Sequence, residues 1–357
     1  MNTSLELSEL KRAVGRLFMI GIPGTRLDED TEILIRDYNL SGIILFSRNI
    51  EDPLQLAGLC RDIQDTARKY HGAPLFLAVD QEGGRVARLR EPFTIFPGNE
   101  AMAMDDNPLE RAKEFGIITA REMKIVGLNM NLAPVLDVRR GEPERHLKGR
   151  TFSEDHEMVA LMGKTVVRSL QENGVMAVAK HFPGLGRADL DPHFQLPRID
   201  LDLSEIHNIN LPPFRAVIED GVSGIMSSHA IYPALDNEQP ATLSPAILDE
   251  LLRKEMGFEG LILTDDLEMG AIKKKWGVAG GALASFRAGA DILLVCESQE
   301  GFLEGLDLIS KGILRGELSM ERLNRSSQRI AHARSRFLKS RKRVSLKEAR
   351  EYFRSRS

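Results

Sequence analysis

The sequence has few of the features expected of disulfide-bonded, membrane-spanning or nucleic-acid-binding proteins. Its two cysteines, Cys60 and Cys296, cannot form a disulfide framework and are typical of a reducing compartment. No apolar run approaches the ~20 residues needed to cross a bilayer. The 48 Lys and Arg residues are balanced by 52 Asp and Glu, so the net charge of −4 gives no general attraction to nucleic acid. We therefore predict neither a nucleic acid partner nor a membrane partner.

The N-terminal segment resembles a secretion signal only superficially. Basic residues precede an apolar stretch, but Arg16 interrupts it. The remaining apolar core, Leu17–Ile22, is shorter than the roughly 7–15 residues that a signal peptide requires. No small-residue cleavage site follows, and Pro23-Gly24 indicates a turn after a strand. We therefore expect a cytoplasmic protein.

Short apolar segments recur along the chain and alternate with amphipathic helical stretches. The segments are Leu17–Ile22, Gly42–Phe46, Leu75–Val79, Gly127–Val135, Val175–Ala179, Gly224–Met226, Gly260–Leu263 and Ile292–Val295. Strands that are apolar on both faces and alternate with helices are typical of a parallel sheet covered by helices. Eight such units favour a closed (β/α)8 TIM barrel over an open doubly wound sheet. The first strand of an open sheet usually leads into a glycine-rich nucleotide fingerprint, which this sequence lacks.

We expect a single domain, because no linker, low-complexity run or short repeat divides the chain. The barrel is assigned to residues 1–338, and a basic C-terminal tail to residues 339–357. We expect this tail to be helical or frayed and to cover the outside of the barrel, with a docking arm as the alternative. The expected oligomeric state is a monomer or a weak dimer.

Polar residues follow several predicted strands directly, at the end of a barrel where catalytic groups lie. In chain order they include Asp80, Glu82, Arg85, Arg88, Asp137, Arg150, Lys180, His181, Asp189, Asp191, His193, His229, Asp265 and Asp266. So many charged side chains at one rim are costly unless water or a ligand satisfies them. The pattern predicts a polar pocket of a size suited to a sugar or a phosphate group.

Two features of this rim are typical of glycosidase catalysis. Asp265, at a strand end, is the best-placed candidate for a nucleophile. The proton donor is normally a second carboxyl group, and Glu82 is available unless it caps the chain or pairs with Arg85. The triplet Asp191-Pro192-His193 offers a different donor, since a carboxylate two residues from an imidazole can orient the ring and tune it near neutral pH.

Five sequence blocks occur in a specific order along nearly the whole chain. They are Gly42–Asn49 (GIILFSRN), Val79–Val86 (VDQEGGRV), Asn131–Asp137 (NLAPVLD), Lys180–Gly184 (KHFPG) and Thr264–Met269 (TDDLEM). Together they resemble family 3 of the glycoside hydrolases, in the single-domain form of the bacterial β-N-acetylglucosaminidases (β-hexosaminidases) of peptidoglycan recycling. The resemblance implies a retaining exo-β-N-acetylglucosaminidase that acts on small muropeptide-derived sugars.

The resemblance also implies roles for individual residues. Asp265 matches the nucleophile of the family, and His193 supported by Asp191 matches its acid/base. Sugar-binding roles are implied for Asp80, Arg88, Arg150, Lys180 and His181. No cofactor is expected. No metal site is expected either, because Asp191 and His193 with His181 lack a further ligand pair at a zinc-site spacing.

The loop after the fifth strand departs from the family pattern at two positions. Leu185 stands where a histidine is usual, and Pro192 stands where the Asp-x-His triplet usually has serine. Proline fixes one backbone torsion and has no N–H to donate, so we expect a stiffer loop. Four alternatives stay open: a phosphorylase that uses phosphate as acceptor, another β-glycosidase of the family, a sugar-binding barrel without turnover, and a Schiff-base aldolase acting through Lys180.

Overall fold

Eight parallel strands close into a barrel in the computed structural model, which describes residues 3–141, 145–188 and 190–354. In chain order, strands β1 to β8 are Phe18–Gly21, Gly42–Ile44, Phe76–Val79, Met130–Asn131, Met176–Phe182, Gly224–Ser227, Leu261–Asp266 and Ile292–Val295. Consecutive strands pair in parallel, and β1 closes the barrel on β8 with Phe18 opposite Leu293. The predicted (β/α)8 barrel is confirmed, and each predicted apolar segment overlaps one strand.

Helices surround the barrel. The α-helices are Thr3–Gly15, Glu29–Tyr38, Pro53–His71, Asn99–Ala103, Pro108–Val126, His156–Glu172, Leu203–Glu205, Leu211–Glu219, Gly270–Ala288, Gln299–Leu314, Met320–Leu338 and Leu346–Arg354. Tighter or wider helical turns cover Ser47–Asn49, Ile206–Asn210, Ala241–Leu243 and Ala246–Glu255, and two small hairpins pair Gln81–Gly83 with Val86–Ala87 and Ile231–Tyr232 with Asp236–Pro240. Within the described ranges, no helix combines the length and apolar character of a membrane span.

The ends of the helix Pro53–His71 illustrate how local sequence fixes an element. The Asp52 side chain accepts hydrogen bonds from the backbone N–H groups of Leu54 and Gln55, which have no partner inside the helix. Pro53 occupies the first helical position, where a missing N–H costs nothing. Gly72 ends the helix with a φ of 66°, a left-handed conformation that glycine adopts without strain.

The strands carry apolar side chains without alternation because both faces of the barrel wall are buried. All four residues of β3 and all four of β8 are buried, between the barrel interior and the surrounding helices. Aromatic rings join the two layers. The ring of Phe18 on β1 packs edge-on against Phe302 of the helix Gln299–Leu314, with 5.1 Å between centroids.

Buried asparagine side chains extend the pairing between β3 and the two-residue strand β4. The Asn129 amide accepts from the backbone N–H of Leu77 and donates to the carbonyl of Leu75, at 2.8 and 3.0 Å. Asn131 makes the same double contact with the backbone of Gln81, at 3.0 and 2.9 Å. These amides replace main-chain ladder bonds, so the chain leaving β3 is held firmly at its first loop residues.

The C-terminal residues pack against helices on the outside of the barrel. The helix Leu346–Arg354 buries Ala349 and Phe353, and the Phe353 ring lies edge-on to Phe93 with 4.6 Å between centroids. Residues 355–357 lie outside the described residues. Assignment of residues 339–357 as a tail separate from the barrel stays a prediction.

Candidate active site

A cavity of about 670 Å³ opens at the carboxyl ends of the barrel strands. It is lined by every residue that the sequence analysis placed in the site: Asp80, Arg88, Arg150, Lys180, His181, Asp191, His193 and Asp265. They come from β5, from the end of β7 and from the loops that follow β3, β4 and β5. The structure thus brings the set together, whereas Asp189 lies outside the described residues.

Lys180 joins two carboxylates at the base of the cavity. Its Nζ lies 2.8 Å from Oδ1 of Asp80 and 2.7 Å from Oε1 of Glu82, and Arg88 approaches the other oxygen of Asp80 at 3.2 Å. Burial opposes the charge on Lys180, but the two carboxylates raise its pKa above the usual value. In the same way, Lys180 and Arg88 outweigh burial and lower the pKa of Asp80. The cluster is a set of fixed charges of both signs.

Glu82 is a buried and permanently ionised carboxylate. Only 1% of its side chain is exposed, and its two oxygens accept hydrogen bonds from Nε and Nη2 of Arg150 at 2.9 and 2.8 Å. Burial favours the neutral acid, yet Arg150 and Lys180 hold the pKa of Glu82 well below its usual range. The considered pairing with Arg85 is replaced by Arg150, since Arg85 donates to the backbone oxygen of His146 at 2.8 Å.

Asp137 fixes the ring of His181 and the start of the loop after β5. One of its oxygens lies 2.8 Å from Nδ1 of His181, and the other accepts from the backbone N–H groups of Leu185 and His181 at 2.7 and 3.2 Å. A carboxylate on Nδ1 favours a proton there and leaves Nε2 for a ligand. Leu185 is buried at the loop base, where its side chain lines the cavity.

A bulge in β7 places Asp265 at the cavity. Three residues of β7 from Leu263 to Asp266 span two positions of β8, so one extra residue is inserted. The backbone N–H of Asp266 donates to Oδ1 of Asp265 at 2.8 Å. On the other side of that residue, Nε2 of His229 donates to the Asp266 carbonyl at 2.9 Å, while Nδ1 lies 2.8 Å from Oγ1 of Thr242. His229 thereby holds the peptide unit that orients Asp265.

The two adjacent aspartates have opposite electrostatic surroundings. Burial works to raise the pKa of Asp265, but His229, His181 and Lys180 together lower it below the usual value. Asp266 has no such cations, and burial with the adjacent carboxylates raises its pKa to about 7. Asp265 is therefore an anion at neutral pH, whereas Asp266 titrates there.

The Asp191–His193 pair lies on the loop after β5. Nδ1 and the backbone N–H of His193 approach the same Asp191 oxygen at 2.7 and 3.0 Å. Burial favours a neutral Asp191, but these two hydrogen bonds lower its pKa. The His193 side chain is 58% exposed, which leaves the ring accessible to a ligand at the cavity mouth.

The same loop is attached to the helix that follows β7. The backbone N–H groups of Gly270 and Ala271, at the start of Gly270–Ala288, donate to the carbonyls of His193 and Pro192 at 2.9 and 3.1 Å. These N–H groups lack partners within their own helix. The loop that carries His193 is therefore held by the element next to Asp265 along the chain.

Several lining residues were assigned no role in the sequence analysis: Phe46, Arg48, Arg145, His146, Phe194, Cys296 and Glu297. The block GIILFSRN contains Phe46 and Arg48, whose guanidinium lies 4.6 Å from the Phe46 ring centroid, so the sequence did carry a signal for these two. Arg145 and His146 lie in the long loop after β4, where no periodic pattern indicates a position in the fold.

The site is built from ion pairs and not from a metal-ligand set. Nδ1 of His181 and Nδ1 of His193 each face a carboxylate of their own, Asp137 and Asp191. Across the described part of the chain, no three His, Cys, Asp or Glu side chains are arranged to hold a metal ion. The fixed donors and acceptors at the cavity base suit the hydroxyl groups of a sugar.

Comparison with known proteins gives a consistent result. The family described as Glycosyl hydrolase family 3 N terminal domain matches residues 9–333. The chain is 36% identical over 287 residues to the β-hexosaminidase of Thiobacillus denitrificans, covering 79% of this chain and 78% of that protein. It is 38% identical over 281 residues to the β-hexosaminidase of Pseudomonas aeruginosa, covering 79% and 82%.

Solved structures agree with these relatives. A family 3 β-N-acetylglucosaminidase from a Paenibacillus species superposes with a TM-score of 0.89 at 36% identity, over 97% of this chain and 68% of that one. NagZ from Neisseria gonorrhoeae, in complex with N-trifluoroacetyl-D-glucosamine, superposes with a TM-score of 0.73 at 28% identity, over 89% and 97%.

Proposed function

Since the chain belongs to glycosyl hydrolase family 3 and is a β-N-acetylhexosaminidase, as the five sequence blocks predicted, we propose that it is a retaining exo-β-N-acetylglucosaminidase. Its substrates are small peptidoglycan-derived sugars with a terminal β-linked N-acetylglucosamine, hydrolysed in the cytoplasm by a monomer or weak dimer. One observation carries the proposal. Asp265 and the Asp191–His193 pair line a single cavity whose base is a cluster of fixed charges.

The charge cluster binds and orients the terminal sugar. Sugar hydroxyls both donate and accept hydrogen bonds, so they need acceptors such as Asp80 and donors such as Lys180 and Arg88 at fixed positions. Arg150 and His181 add donor and acceptor atoms on the same cavity wall. Because these side chains are already held by ion pairs, binding immobilises few new groups, and the anomeric carbon is presented in one orientation.

In the first chemical step, the ionised Asp265 attacks the anomeric carbon while protonated His193 gives its proton to the glycosidic oxygen. The carbon–oxygen bond to the leaving group breaks, and an ester bond between the sugar and Asp265 forms. The leaving group departs as an alcohol, and His193 becomes neutral. The low pKa of Asp265 suits this role, because the nucleophile is ionised before the substrate arrives.

In the second step, neutral His193 takes a proton from water, and the resulting hydroxide attacks the anomeric carbon. The ester bond to Asp265 breaks, and the sugar is released with its original configuration. A neutral imidazole has an advantage over a carboxylate, since it places no second anion beside Asp265 during this step. Asp191 orients the ring and stabilises the imidazolium that forms.

Two of the alternative mechanisms fit the geometry poorly. Glu82 is held ionised by Arg150 and Lys180, so it has no proton to give at neutral pH. A Schiff-base lysine needs a low pKa, but the pKa of Lys180 is raised by its two carboxylate partners. Phosphorolysis, a different sugar preference and binding without turnover are decided by experiment.

The test is a panel of para-nitrophenyl β-glycosides of N-acetylglucosamine, glucose and xylose, with and without phosphate. We expect the N-acetylglucosamine glycoside to react fastest, without dependence on phosphate, and NMR to show the β-anomer first. A sugar 1-phosphate as product identifies a phosphorylase, and no turnover identifies a sugar-binding barrel. A 5-fluoro glycoside should label Asp265, and labelling of Asp266 or Glu82 would contradict the assignment.

A further inference from the structure

A second large cavity, of about 840 Å³, lies at the opposite end of the barrel from the active site. Its residues include Pro74, Asn129 and Gly174, which come just before β3, β4 and β5. Its walls are the helices Pro53–His71 and Pro108–Val126 and the C-terminal segment that follows residue 338. We call this cavity the basal groove.

The basal groove concentrates positive charge in a protein whose net charge is −4. Eight of its lining residues are Arg or Lys, and two are Glu. Arg61 and Arg343 have carboxylate partners on the helix Pro53–His71, at 3.1 and 2.6 Å. The other six have no carboxylate within 4 Å among the described residues: Arg68, Arg121, Lys124, Arg336, Arg341 and Lys342.

Arg341 is the most buried of these cations. Its guanidinium donates to the backbone oxygens of Leu128 and Gly174, at 2.7 and 2.9 Å. Burial lowers its pKa to about 10, so the group is still charged at neutral pH. Two neutral carbonyls offset only part of the cost of burying a full charge. An anion in the basal groove would reduce that cost.

The shape and composition of the groove narrow the choice of anion. The cavity is far larger than one phosphate ion, and its cations lie on three walls, so a compact ion cannot reach them all. The Tyr352 ring is covered by the Arg121 guanidinium at 4.9 Å, and Phe337 is buried. No ring among the described lining residues is therefore free to stack on nucleic acid bases. The charges lie in a concave groove, which fits a chain better than a flat membrane surface.

We propose that the basal groove binds an extended phosphate polymer. Guanidinium and ammonium groups on three walls pair with successive phosphates along the chain, and the displacement of counterions contributes to the affinity. The proposal is independent of the glycosidase function, because the groove and the active site lie at opposite ends of the barrel strands. It also gives a role to the basic C-terminal segment, which supplies Arg341, Lys342 and Arg343.

The test is binding of linear inorganic polyphosphate to the full chain, measured by calorimetry at several salt concentrations. The groove variant carries Arg68→Gln, Lys124→Gln and Lys342→Gln. A control variant, Lys254→Gln with Arg287→Gln and Lys311→Gln, removes three charges from exposed positions outside the groove. We expect the groove variant to bind about tenfold or more weakly, with a shallower dependence on salt, and the control to stay within about twofold of the wild type.

Activity on the N-acetylglucosamine glycoside is measured in parallel and should be unchanged in both variants, which shows that both are folded. Comparison probes are orthophosphate, polyglutamate, oligothymidylate and phosphatidylglycerol vesicles, and polyphosphate should bind most tightly. The proposal is overturned if polyphosphate does not bind at low salt, or if both variants weaken binding equally. Preferential binding of the vesicles, the oligothymidylate or polyglutamate overturns the assigned partner. None of these results depends on which glycoside is hydrolysed.

Discussion

Carboxylates in the same cavity differ in what surrounds them, and this decides which residue can handle a proton. Glu82 is enclosed by Arg150 and Lys180, whereas Asp191 faces only the backbone and ring of His193. A carboxylate between two buried cations stays ionised at any pH near neutrality. The imidazole of His193 is the group whose usual pKa lies near neutral pH, and it is exposed to the ligand.

Replacing His193 tests this division of roles. His193→Ala should reduce kcat/KM roughly 10²- to 10⁴-fold for glycosides with poor leaving groups, which need a proton. The loss should be much smaller for activated aryl glycosides, and Asp191→Asn should show a milder form of the same pattern. The measurement is kcat/KM against leaving-group pKa. If Glu82→Gln shows this dependence while His193→Ala shows none, the enzyme uses two carboxylates.

The nucleophile is tested at its own position. Asp265→Ala should reduce kcat by about 10⁴-fold or more, because the covalent step is lost. The thermal unfolding midpoint should change little, since the side chain lies at the rim and not in the core. Glu297→Gln is the matched control, because Glu297 lines the same cavity with 76% of its side chain exposed. Comparable losses in the two variants would show that any charge change in the cavity suppresses turnover.

The charge pairs that assemble the site could not be predicted from the sequence. The fifth strand's end and the block VDQEGGRV indicated that Lys180, Asp80 and Glu82 belong to one rim. Their pairing does not follow from that, because Lys180 and Asp80 are 100 positions apart and Arg150 and Glu82 are 68 apart. No local pattern encodes which of several arginines reaches a given carboxylate, and barrel closure decides it.

Among the elements, the helix Gly270–Ala288 has the most direct influence on the acid/base loop. A Cβ at Gly270 would lie 2.7 Å from the carbonyl oxygen of Phe194 and 2.8 Å from that of His193, both closer than van der Waals contact. The loop carrying His193 therefore packs directly on this glycine. A methyl group here would displace the loop, although alanine suits a helix better than glycine.

Gly270→Ala should therefore lower kcat/KM for poor leaving groups by about tenfold or more, since small displacements of a catalytic group are costly. Activated aryl glycosides should be affected less. Gly280→Ala in the same helix is the control, because its Cβ would meet only a Trp276 side-chain atom at 3.8 Å. Steady-state kinetics on both substrate types measures the effect. Equal kinetics in the two variants would show that contact with Gly270 does not position the loop.

The strands were the most predictable elements, and their connections the least. All eight were recognisable because a strand buried on both faces is apolar throughout, as β3 and β8 are. The bulge in β7 and the asparagine links of Asn129 and Asn131 are invisible in such a pattern. They depend on which backbone groups the closed barrel leaves unpaired.

At the scale of the whole molecule, the raised pKa of Asp266 makes folding stability depend on pH. Its pKa is about 7 in the folded protein and ~3.9 in the unfolded chain. Between these values the folded protein holds a proton that the unfolded chain has lost. Stability therefore falls as pH rises from about 4 to about 7, and levels off above the folded pKa.

Asp266→Asn removes this titration. Relative to wild type, its free energy of unfolding should increase by roughly 1–3 kcal/mol between about pH 4 and pH 8. Urea denaturation at a series of pH values measures the difference. Asp200→Asn is the control, since 74% of this side chain is exposed, and its stability difference should not vary with pH. Parallel pH profiles for wild type and Asp266→Asn would contradict the prediction.

The two hydrogen bonds from Gly270 and Ala271 to the loop make its motion countable by amide hydrogen exchange. Each time the loop lifts, these two N–H groups lose their acceptors, the carbonyls of His193 and Pro192, and become open to deuterium. Their exchange rate thus reports the frequency of loop opening, without any label on the catalytic residues. We expect Pro192→Ser to accelerate exchange at both amides, and a bound sugar to slow it. Unchanged exchange in both cases would mean that substrate enters and product leaves past a stationary loop.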